Sequence, residues 1–500
     1  MKRLCFLLLI FVFSLSIWTL PALASDTSAE IEQLKEEVKR LLKRIEELEK
    51  KQAETEAKTV EIEEKTVEAE KKGLQAGYDR GFYIKTQDEN FLLRTNLLIQ
   101  FRYTYLSFDR MVNANNENWS NFLLRRARVF FSGNAPNKDW TYYFHIQLET
   151  FREARGAANL HDAYVTWQKY PYFQVRFGRG KIPYGLHFWQ SASLLNGVDR
   201  SIFSGETDVD NNEDARRWPG GNANFQVSNE DSVTKFPIGG FNLYRSQGIH
   251  LQGDINLFGE DGFLQYWAGV YNGRNTKGGV NSDSTPLWLG RISINPFGKY
   301  DLSQQGDLYY SKTPKVCFLL SGAQYGDRLS KIRSSADGSE QPVAPYDIKG
   351  SGYNLAALIR YRGFSMDAEY GYDRLEQKRE GGHTWERFGY RFDTGYFLIP
   401  RKFEVVARYA HLERMKDNTV EKSLASGLGL VSVNGGTNNA IEDSLKEYTI
   451  GLNYYVLDHN MKLFVDYSYL TREFIPIPTA TAPVDDQHDH RFRTMMQFFW

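Results

Sequence analysis

This 500-residue sequence has little cysteine, no long apolar run beyond its N-terminus and no excess of charge of either sign. Cys5 and Cys317 are the only cysteines, which argues against an internal disulfide, a thiolate zinc site and an iron–sulfur site. Lys and Arg total 61 and Asp and Glu total 62, so we expect no global attraction to nucleic acid. Beyond the N-terminus no segment approaches the length of a membrane helix, which excludes a helical membrane bundle.

Enzyme signatures are also missing. The sequence contains no Gly-x-Ser-x-Gly, no phosphate-binding loop and no His-Glu-x-x-His. The run Asp485–His490 has metal-ligand residue types, but its place in a polar loop favours a solvated turn. We therefore predict no enzyme activity, no cofactor and no metal site.

Residues 1–24 have the pattern of an export signal. Lys2 and Arg3 precede an apolar stretch from Leu4 to Leu20, and a small-residue Ala-x-Ala sequence ends at Ala24. A retained membrane anchor is the poorer fit because that small-residue sequence is typical of a cleavage site. We predict that the processed chain begins at Ser25 and leaves the cytoplasm.

Residues 25–73 are dominated by Glu, Lys, Ala, Thr and Leu, and their apolar residues have a heptad spacing. The positions that carry this seam are Ile31, Leu34, Val38, Leu41, Ile45 and Leu48. The pattern predicts a self-associating α-helical coiled coil in the periplasm. A single solvated charged helix is the alternative. Residues 74–90 are interpreted as a linker.

From residue 91 to residue 500 the apolar period changes to two. In the first such stretch Leu93, Leu97 and Phe101 alternate with Arg94 and Arg102, which gives one apolar face and one polar face. Comparable stretches predict sixteen strands near 92–107, 122–133, 140–149, 160–168, 173–180, 240–257, 262–271, 287–296, 315–324, 351–362, 364–373, 386–398, 402–412, 445–456, 461–470 and 488–500.

Links between these stretches alternate between short and long, as in outer-membrane barrels. The sequence therefore predicts an all-β, 16-stranded antiparallel transmembrane barrel. The link 297–314 is too long for a turn in this scheme. The longest link, 181–239, either folds into the lumen to constrict it or forms an external lid.

Basic residues at inward positions of the strands are the candidate anion-binding groups. Guanidinium groups bind phosphate-like anions through charge and paired hydrogen bonds. The alternative is that they pair with luminal acids such as Glu149 and Asp162 and only line a wet pore. The candidates are Arg94, Arg102, Arg126, Arg128, Arg176, Arg179, Lys181, Arg491 and Arg493.

Several motifs resemble the phosphate-selective porin O/P family. They are RRARVFFSGNAPNKDWTYYFHIQLE (125–149), DAYVTW (162–167), VRFGRGKIPYGL (175–186), FEVVARYAHL (403–412) and YTIGLNYYVLDHNMKLFVDYSYL (448–470). The resemblance implies a trimeric, sixteen-stranded outer-membrane channel with a constricting loop after the fifth strand. His187 stands where that family usually has an acid, and the coiled coil is an addition.

These observations predict a passive porin for small hydrophilic solutes, with a preference for anions such as phosphate. A non-selective or sugar-passing porin and a structural tether between the outer membrane and peptidoglycan are the alternatives. The expected location is the outer membrane of a Gram-negative bacterium, with the coiled coil in the periplasm. The expected partners are outer-membrane lipid, two further copies of the chain, small anions and peptidoglycan, but not nucleic acid.

Overall fold

The computed structural model forms two compact units, Met1–Leu74 and Gln75–Trp500. The predicted signal peptide, both ends of the predicted coiled coil and residues 205–239 of the predicted loop 181–239 lie outside the described residues. The structure describes residues 35–48, 50–52, 55, 73–107, 118–148, 159–204, 241, 243, 245–272, 285–333, 340–378, 384–414, 430–433, 438–476 and 486–500.

In the described part of the first unit, residues 35–48, 50–52 and 55 are helical, and we call them α1. Its seam residues Val38, Leu41, Ile45 and Leu48 are all exposed, by 49–59%. The helix lies where the heptads predict it, and its assembly into a coiled coil stays a prediction. No helix in the described part of the chain has the length and apolar content to cross a membrane.

The second unit is built from strands joined in chain order by antiparallel pairing. Sixteen of them, β3–β15 and β17–β19, form the closed barrel that the sequence predicts. Closure is made by β19 and β3, whose register runs from His490 opposite Ser107 to Phe499 opposite Leu98. The strands are β1 (Leu74–Tyr78), β2 (Phe82–Thr86), β3 (Leu92–Ser107), β4 (Trp119–Asn134), β5 (Trp140–Gln147), β6 (Asn159–Tyr170), β7 (Phe173–Lys181), β8 (Arg245–Leu257), β9 (Glu260–Tyr271), β10 (Leu287–Ile294), β11 (Lys315–Arg333), β12 (Glu340–Tyr361), β13 (Phe364–Gln377), β14 (Thr384–Ile399), β15 (Phe403–Arg414), β16 (Leu430–Val433), β17 (Asn438–Leu457), β18 (Met461–Pro476) and β19 (Gln487–Phe499).

Side chains alternate across the barrel wall, with apolar groups outside and both polar and apolar groups inside. In β10, Trp288 and Ile292 are about half exposed on the outer face, at 56% and 48%. Arg291 lies between these two residues in the strand and Ser293 follows Ile292, and both are buried on the inner face. This is the inverse of a water-soluble sheet and is the arrangement expected of a barrel in lipid.

Some strands are longer than the apolar alternation indicates. The sequence pattern ends β11 near 324 and starts β12 near 351, whereas their pairing continues to Arg333 opposite Glu340. The short strand β16, inside the predicted loop 413–444, pairs with the start of β17. Backbone hydrogen bonding extends a hairpin beyond the apolar stretch, so side-chain alternation underestimates strand length.

Residues 74–90, interpreted from the sequence as a linker, contain the two short strands β1 and β2. These strands pair with each other, and β2 also pairs with β3, from Phe82 opposite Thr95 to Lys85 opposite Leu92. Next to that register, the N–H of Trp500 donates to the carbonyl of Leu97 at 3.0 Å. The hairpin therefore continues the closing seam where β19 ends.

Two links fold into the barrel instead of spanning its rim. Residues 182–204 contain the short helix α2 (Leu186–Trp189) and a 3₁₀ turn at Ile202–Ser204. They contact β13, β17, β18, β19 and β3, strands on different sides of a closed barrel, and hence lie in the lumen. We call residues 182–204 the inner segment.

The link 295–314 is the second that folds inward, and this explains its unusual length. The N–H of Ser191 donates to the carbonyl of Ser303 at 2.7 Å, and the N–H of Gln305 donates to the carbonyl of Leu194 at 2.9 Å. Leu302 is buried in a cluster with Leu186. The link thus packs against the inner segment inside the barrel.

We predict that deleting residues 74–90 lowers the stability of the barrel, because the edge of β3 at residues 92–95 loses its partner. At ~1 kcal/mol for each lost backbone hydrogen bond the loss should be a few kcal/mol. The measurement is the temperature at which the folded electrophoretic mobility is lost. Deletion of residues 26–72 is the control and should leave that temperature unchanged; equal temperatures for both deletions would contradict the prediction.

Candidate functional site

The sequence Lys181-Ile-Pro-Tyr-Gly185 leads from β7 into the inner segment and turns the chain away from the wall. The Lys181 ammonium donates to three carbonyls of the segment, those of Phe188 at 2.8 Å, Trp189 at 3.2 Å and Gln190 at 3.0 Å. Gly185 is required because a Cβ there would lie 2.3 Å from the carbonyl oxygen of Phe241. The motif therefore holds the chain in its inward direction.

Carboxylates of the opposite wall receive the first part of the segment. Glu369 accepts the backbone N–H groups of Leu186 at 2.7 Å and His187 at 3.2 Å, and the Nε of Arg391 at 2.6 Å. Nearby, the Tyr184 hydroxyl donates to Asp373 at 2.7 Å. The free N–H groups at the start of α2 are thus satisfied by a wall side chain, since Gly185 has none to offer.

His187 is fully buried and contacts the Ser201 hydroxyl through Nδ1 at 3.0 Å. Burial lowers the pKa of His187 well below its usual value, and the positive charges of Arg391, Arg408 and Arg200 lower it further. The imidazole is therefore neutral at physiological pH and adds no charge to the lumen.

Backbone carbonyls of the middle of the segment accept hydrogen bonds from wall side chains. The carbonyl of Ala192 accepts from Gln100 at 3.2 Å, and that of Ser193 from Gln497 at 3.0 Å. Further along, Lys462 donates to the carbonyl of Leu195 at 2.8 Å, and Asn453 to that of Asn196 at 2.6 Å. These donors take the place of water for a buried irregular backbone.

Asp199 joins the segment to the arginines of β3 and β4. Its carboxylate lies 2.6 Å from Arg102, 3.0 Å from Arg125 and 2.8 Å from Arg126. The Arg408 guanidinium also donates to the Asp199 backbone carbonyl at 2.9 Å. All five of these residues are buried, so one carboxylate faces three cations in a dry environment.

Burial and the neighbouring positive charges act on the pKa of Asp199 in opposite directions. Burial works to raise it, but the guanidinium groups of Arg125, Arg126 and Arg102 together hold the pKa well below its usual range. A carboxyl group with a depressed folded-state pKa stabilises the fold at pH values above its ordinary pKa. That contribution is lost only as the pH falls through the lowered value.

Arg125 belongs to this cluster although the alternation of β4 places it on the outer face. The register between β3 and β4 shifts between Gln100 and Phe101, so two successive residues, Arg125 and Arg126, both face inward and are buried. A β-bulge has this effect. The doublet Arg125-Arg126 in an otherwise alternating strand is the signal that could have indicated it.

The remaining candidates on β4 and β7 are distributed along the wall. Arg128 donates to the Gln147 side chain at 3.0 Å. Arg176 donates to Thr166 at 3.0 Å and lies 4.2 Å from the centre of the Tyr164 ring. Arg179 is in register opposite Ala163 and Gln247.

Three other candidates are paired with acids other than Asp199. Arg493 makes a two-point ion pair with Asp466, at 2.9 and 2.7 Å, and Arg491 donates to Glu447 at 3.1 Å. Arg94 lies 3.3 Å from Asp79. Of the acids expected to neutralise the arginines, Glu149 lies outside the described residues.

Asp162, the other acid named from the sequence, accepts from Arg245 at 2.9 Å and contacts His145 at 2.7 Å. Neither of these two partners is among the candidates. The structure therefore brings Arg102 and Arg126 together at Asp199, and the charge of Arg493 also acts on that carboxylate.

Buried charge is distributed unevenly around the lumen. Among the described buried side chains of residues 92–257, six arginines face two aspartates: Arg102, Arg125, Arg126, Arg128, Arg200 and Arg245 against Asp162 and Asp199. We call this group the basic arc. In residues 364–499 the acids outnumber the cations: Asp367, Glu369, Asp373, Asp393, Glu404, Glu447, Asp466 and Asp489 against Arg387, Arg391, Arg408, Lys462, Arg472 and Arg493.

A closed barrel with a polar lumen, an inner segment and a basic arc has the parts of a selective water-filled pore. Among the residues that the structure describes, no three His, Cys, Asp or Glu side chains are grouped to hold a metal ion. A family model described as phosphate-selective porin O and P matches residues 96–238 and 343–500, more than half of the chain. The chain belongs to the phosphate-selective porin O and P family.

Solved structures with a similar fold include the outer membrane channel DcaP of Acinetobacter baumannii, at 12% identity and a TM-score of 0.48, covering 85% of this chain and 100% of that one. An anion-selective porin from Comamonas acidovorans is 11% identical, with a TM-score of 0.48, over 81% of this chain and 99% of that one. OmpT of Vibrio cholerae is 8% identical, with a TM-score of 0.46, over 85% and 99%. None of the curated proteins matches the chain.

Family membership makes this barrel a porin of the outer membrane. The Gly178-x-x-Lys181-x-Pro-Tyr-Gly185 sequence is part of a motif that resembles the family. It forms the turn that directs the inner segment into the lumen of this porin. His187, where the family usually has an acid, is a neutral buried group. The acidic contacts at this point come from Glu369 and Asp373 of the wall.

We predict that Asp199→Asn releases the inner segment of this porin, because three buried arginines then lose their shared carboxylate. Breaking a buried ion pair from one side costs ~3–5 kcal/mol. Hydrogen exchange of residues 182–204 should become faster while exchange of the barrel strands stays slow. Asp79→Asn, which breaks a more exposed pair with Arg94, is the control; unchanged exchange in the Asp199 variant would contradict the role of the cluster.

Proposed function

We propose that this porin lets small hydrophilic anions, phosphate among them, diffuse passively across the outer membrane. The observation that carries the proposal is the basic arc, where the described buried side chains are six arginines and two aspartates. An excess of positive charge in a low-dielectric wall raises the local concentration of anions in the adjoining water. No bond is made or broken in such a channel, and selectivity comes from luminal charge and width.

Width is the second element of the proposal. The inner segment occupies luminal space, and its anchoring through Glu369, Asp199 and the wall amides gives it a defined position. We propose that it is the constriction of the pore. A rigid constriction beside a basic arc favours small anions over larger neutral solutes such as oligosaccharides, and this separates the proposal from a general or sugar-passing porin.

Neutralising Arg128 of the basic arc together with Arg176 of β7 tests the anion preference. In planar bilayers under a KCl gradient, the wild-type protein should give a chloride-favouring reversal potential, and phosphate should reduce the chloride current. The double variant Arg128→Gln, Arg176→Gln should lower the chloride-to-potassium permeability ratio roughly two- to five-fold, since each nearby charge contributes ~0.5–1 kcal/mol in water.

Lys138→Gln is the matched control, because this exposed lysine pairs with Glu89 on a short turn and lies outside the basic arc. Its permeability ratio should equal that of the wild type. A wild-type ratio near one that no variant changes would refute the anion preference and leave a non-selective porin. An absence of conductance in correctly folded protein would refute the channel itself.

A tethering role is the second candidate, and the exposed seam of α1 favours it. Four apolar seam residues of the described helix are exposed, which fits association with two further copies in a trimer. We propose that the trimeric helices extend from the barrel toward peptidoglycan. The partners that this proposal implies are two further copies of the chain and the outer-membrane lipid around the apolar outer face.

We predict that deleting residues 26–73 leaves single-channel conductance and ion preference unchanged, since no wall or inner-segment residue is removed. If the helix is a tether, cells that carry only the deleted form should release outer-membrane vesicles in excess. The double variant Leu41→Asp, Ile45→Asp should reproduce this effect by breaking helix association. A normal envelope in both strains would argue against tethering and leave the channel function untouched.

A further inference from the structure

Arg291 is a buried arginine whose charge is not matched by an acid. It lies on the inner face of β10, 1% exposed, opposite Trp267 of β9 and Ser321 of β11. Its guanidinium carbon lies 5.2 Å from the Trp189 ring centre and 5.0 Å from the Trp267 ring centre. Because Trp189 belongs to α2, the inner segment covers this guanidinium group.

None of the three guanidinium nitrogens of Arg291 has a hydrogen-bond acceptor among the described residues. Its neighbours across and along the sheet, Leu289, Ser293, Trp267 and Ser321, carry no carboxylate. Ser321 itself donates to the Tyr184 carbonyl. The carboxylate that interacts electrostatically with Arg291 is Glu369. Glu369 already accepts hydrogen bonds from two backbone N–H groups and from Arg391.

Other large buried arginines of the barrel differ from Arg291 in this respect. Arg102 and Arg126 pair with Asp199, Arg387 pairs with Asp373 at 2.6 Å, and Arg391 pairs with Glu369 at 2.6 Å. An unpaired ion in a dry interior is strongly destabilising. Two aromatic faces offset part of that cost through cation–π attraction, but they accept none of the conventional N–H···O hydrogen bonds that a guanidinium group makes.

A second unsatisfied polar group lies at the same level of the wall. Ser321 of β11, opposite Arg291, is also opposite Asn354 of β12. Asn354 is completely buried, and neither atom of its amide has a partner among the described residues. Two strand spacings separate the backbones of Arg291 and Asn354 by about 10 Å, within the combined reach of the two side chains.

We infer that Arg291, with the Asn354 amide as a second donor, holds a small inorganic anion between the barrel wall and the inner segment. The ligand is a compact anion of halide or phosphate size, because guanidinium and amide N–H groups donate to both. It is a resident ion and not a permeating one, since both side chains are shut off from water. The inference is therefore independent of the proposed anion selectivity.

The consequence is that the inner segment is partly held in place by this ion. Trp189 lies over the guanidinium group, so an anion beneath it completes the contacts of α2 with β10 and β12. Removal of the ion would leave an unpaired cation under α2, and the segment would then be less stable against the wall.

The test uses the purified full-length porin in detergent. Crystals grown in sodium bromide should show an anomalous bromide peak within hydrogen-bond distance of the Arg291 guanidinium, and the peak should vanish in Arg291→Met. Thermal unfolding is then followed at constant ionic strength in chloride, in phosphate, and in a bulky organic anion too large for the site. Chloride or phosphate should raise the unfolding temperature of the wild type by several degrees, and the more effective of the two identifies the resident class.

Arg362→Met is the matched control, because Arg362 is exposed and also lies beside an aromatic ring, that of Tyr361. It should keep the anomalous peak and the anion effect on unfolding. If Arg291→Met fails to fold, Asn354→Leu replaces it and should weaken both signals. Ordered water alone at Arg291, or a bromide peak without any anion-specific shift in unfolding, which would indicate an adventitious ion only, would overturn the inference.

Discussion

Closure of the sheet between β19 and β3 is the constraint on which the rest of the structure depends. In lipid every backbone N–H and C=O must find a partner within the protein, and only a sheet without edges does this with strands. The seam runs over ten residue pairs, from Ser107 opposite His490 to Leu98 opposite Phe499. Trp500 and then β2 prolong it along the remainder of β3.

Once the sheet is closed, its two faces have different solvents. The outer face carries residues such as Trp288 and Phe318, and the inner face carries buried ion pairs such as that of Arg391 with Glu369. A chain segment that enters this interior needs hydrogen-bond partners for its backbone in addition to apolar contacts. The inner segment finds them in Glu369, Gln100 and Lys462, which act where water would act in an open pore.

The same interior explains why luminal arginines are not equivalent. Arg102 and Arg126 hold the inner segment through Asp199, whereas Arg128 donates to Gln147 and Arg176 donates to Thr166. A guanidinium group that pairs with a carboxylate of the inner segment fixes the position of that segment in the lumen.

Period-two alternation determined much of the outcome from the sequence alone. It identified sixteen barrel strands, placed Arg94, Arg102, Arg126 and Arg128 at inward positions, and picked out the link 297–314 as too long for a turn. These results follow from local rules, since one residue of register decides which face a side chain takes. The heptads likewise located α1 without any knowledge of its partners.

Only the tertiary structure decided which groups meet. Asp199 is separated from Arg102 by 97 residues and reaches it because the inner segment crosses the lumen. Arg125 joins them through a bulge that depends on how β3 pairs with β4. Arg291 has no acid beside it for the same reason: neighbouring strands supply Trp267 and Ser321 at that level. Pairing across a closed sheet is a non-local property, and a sequence pattern specifies faces but not partners.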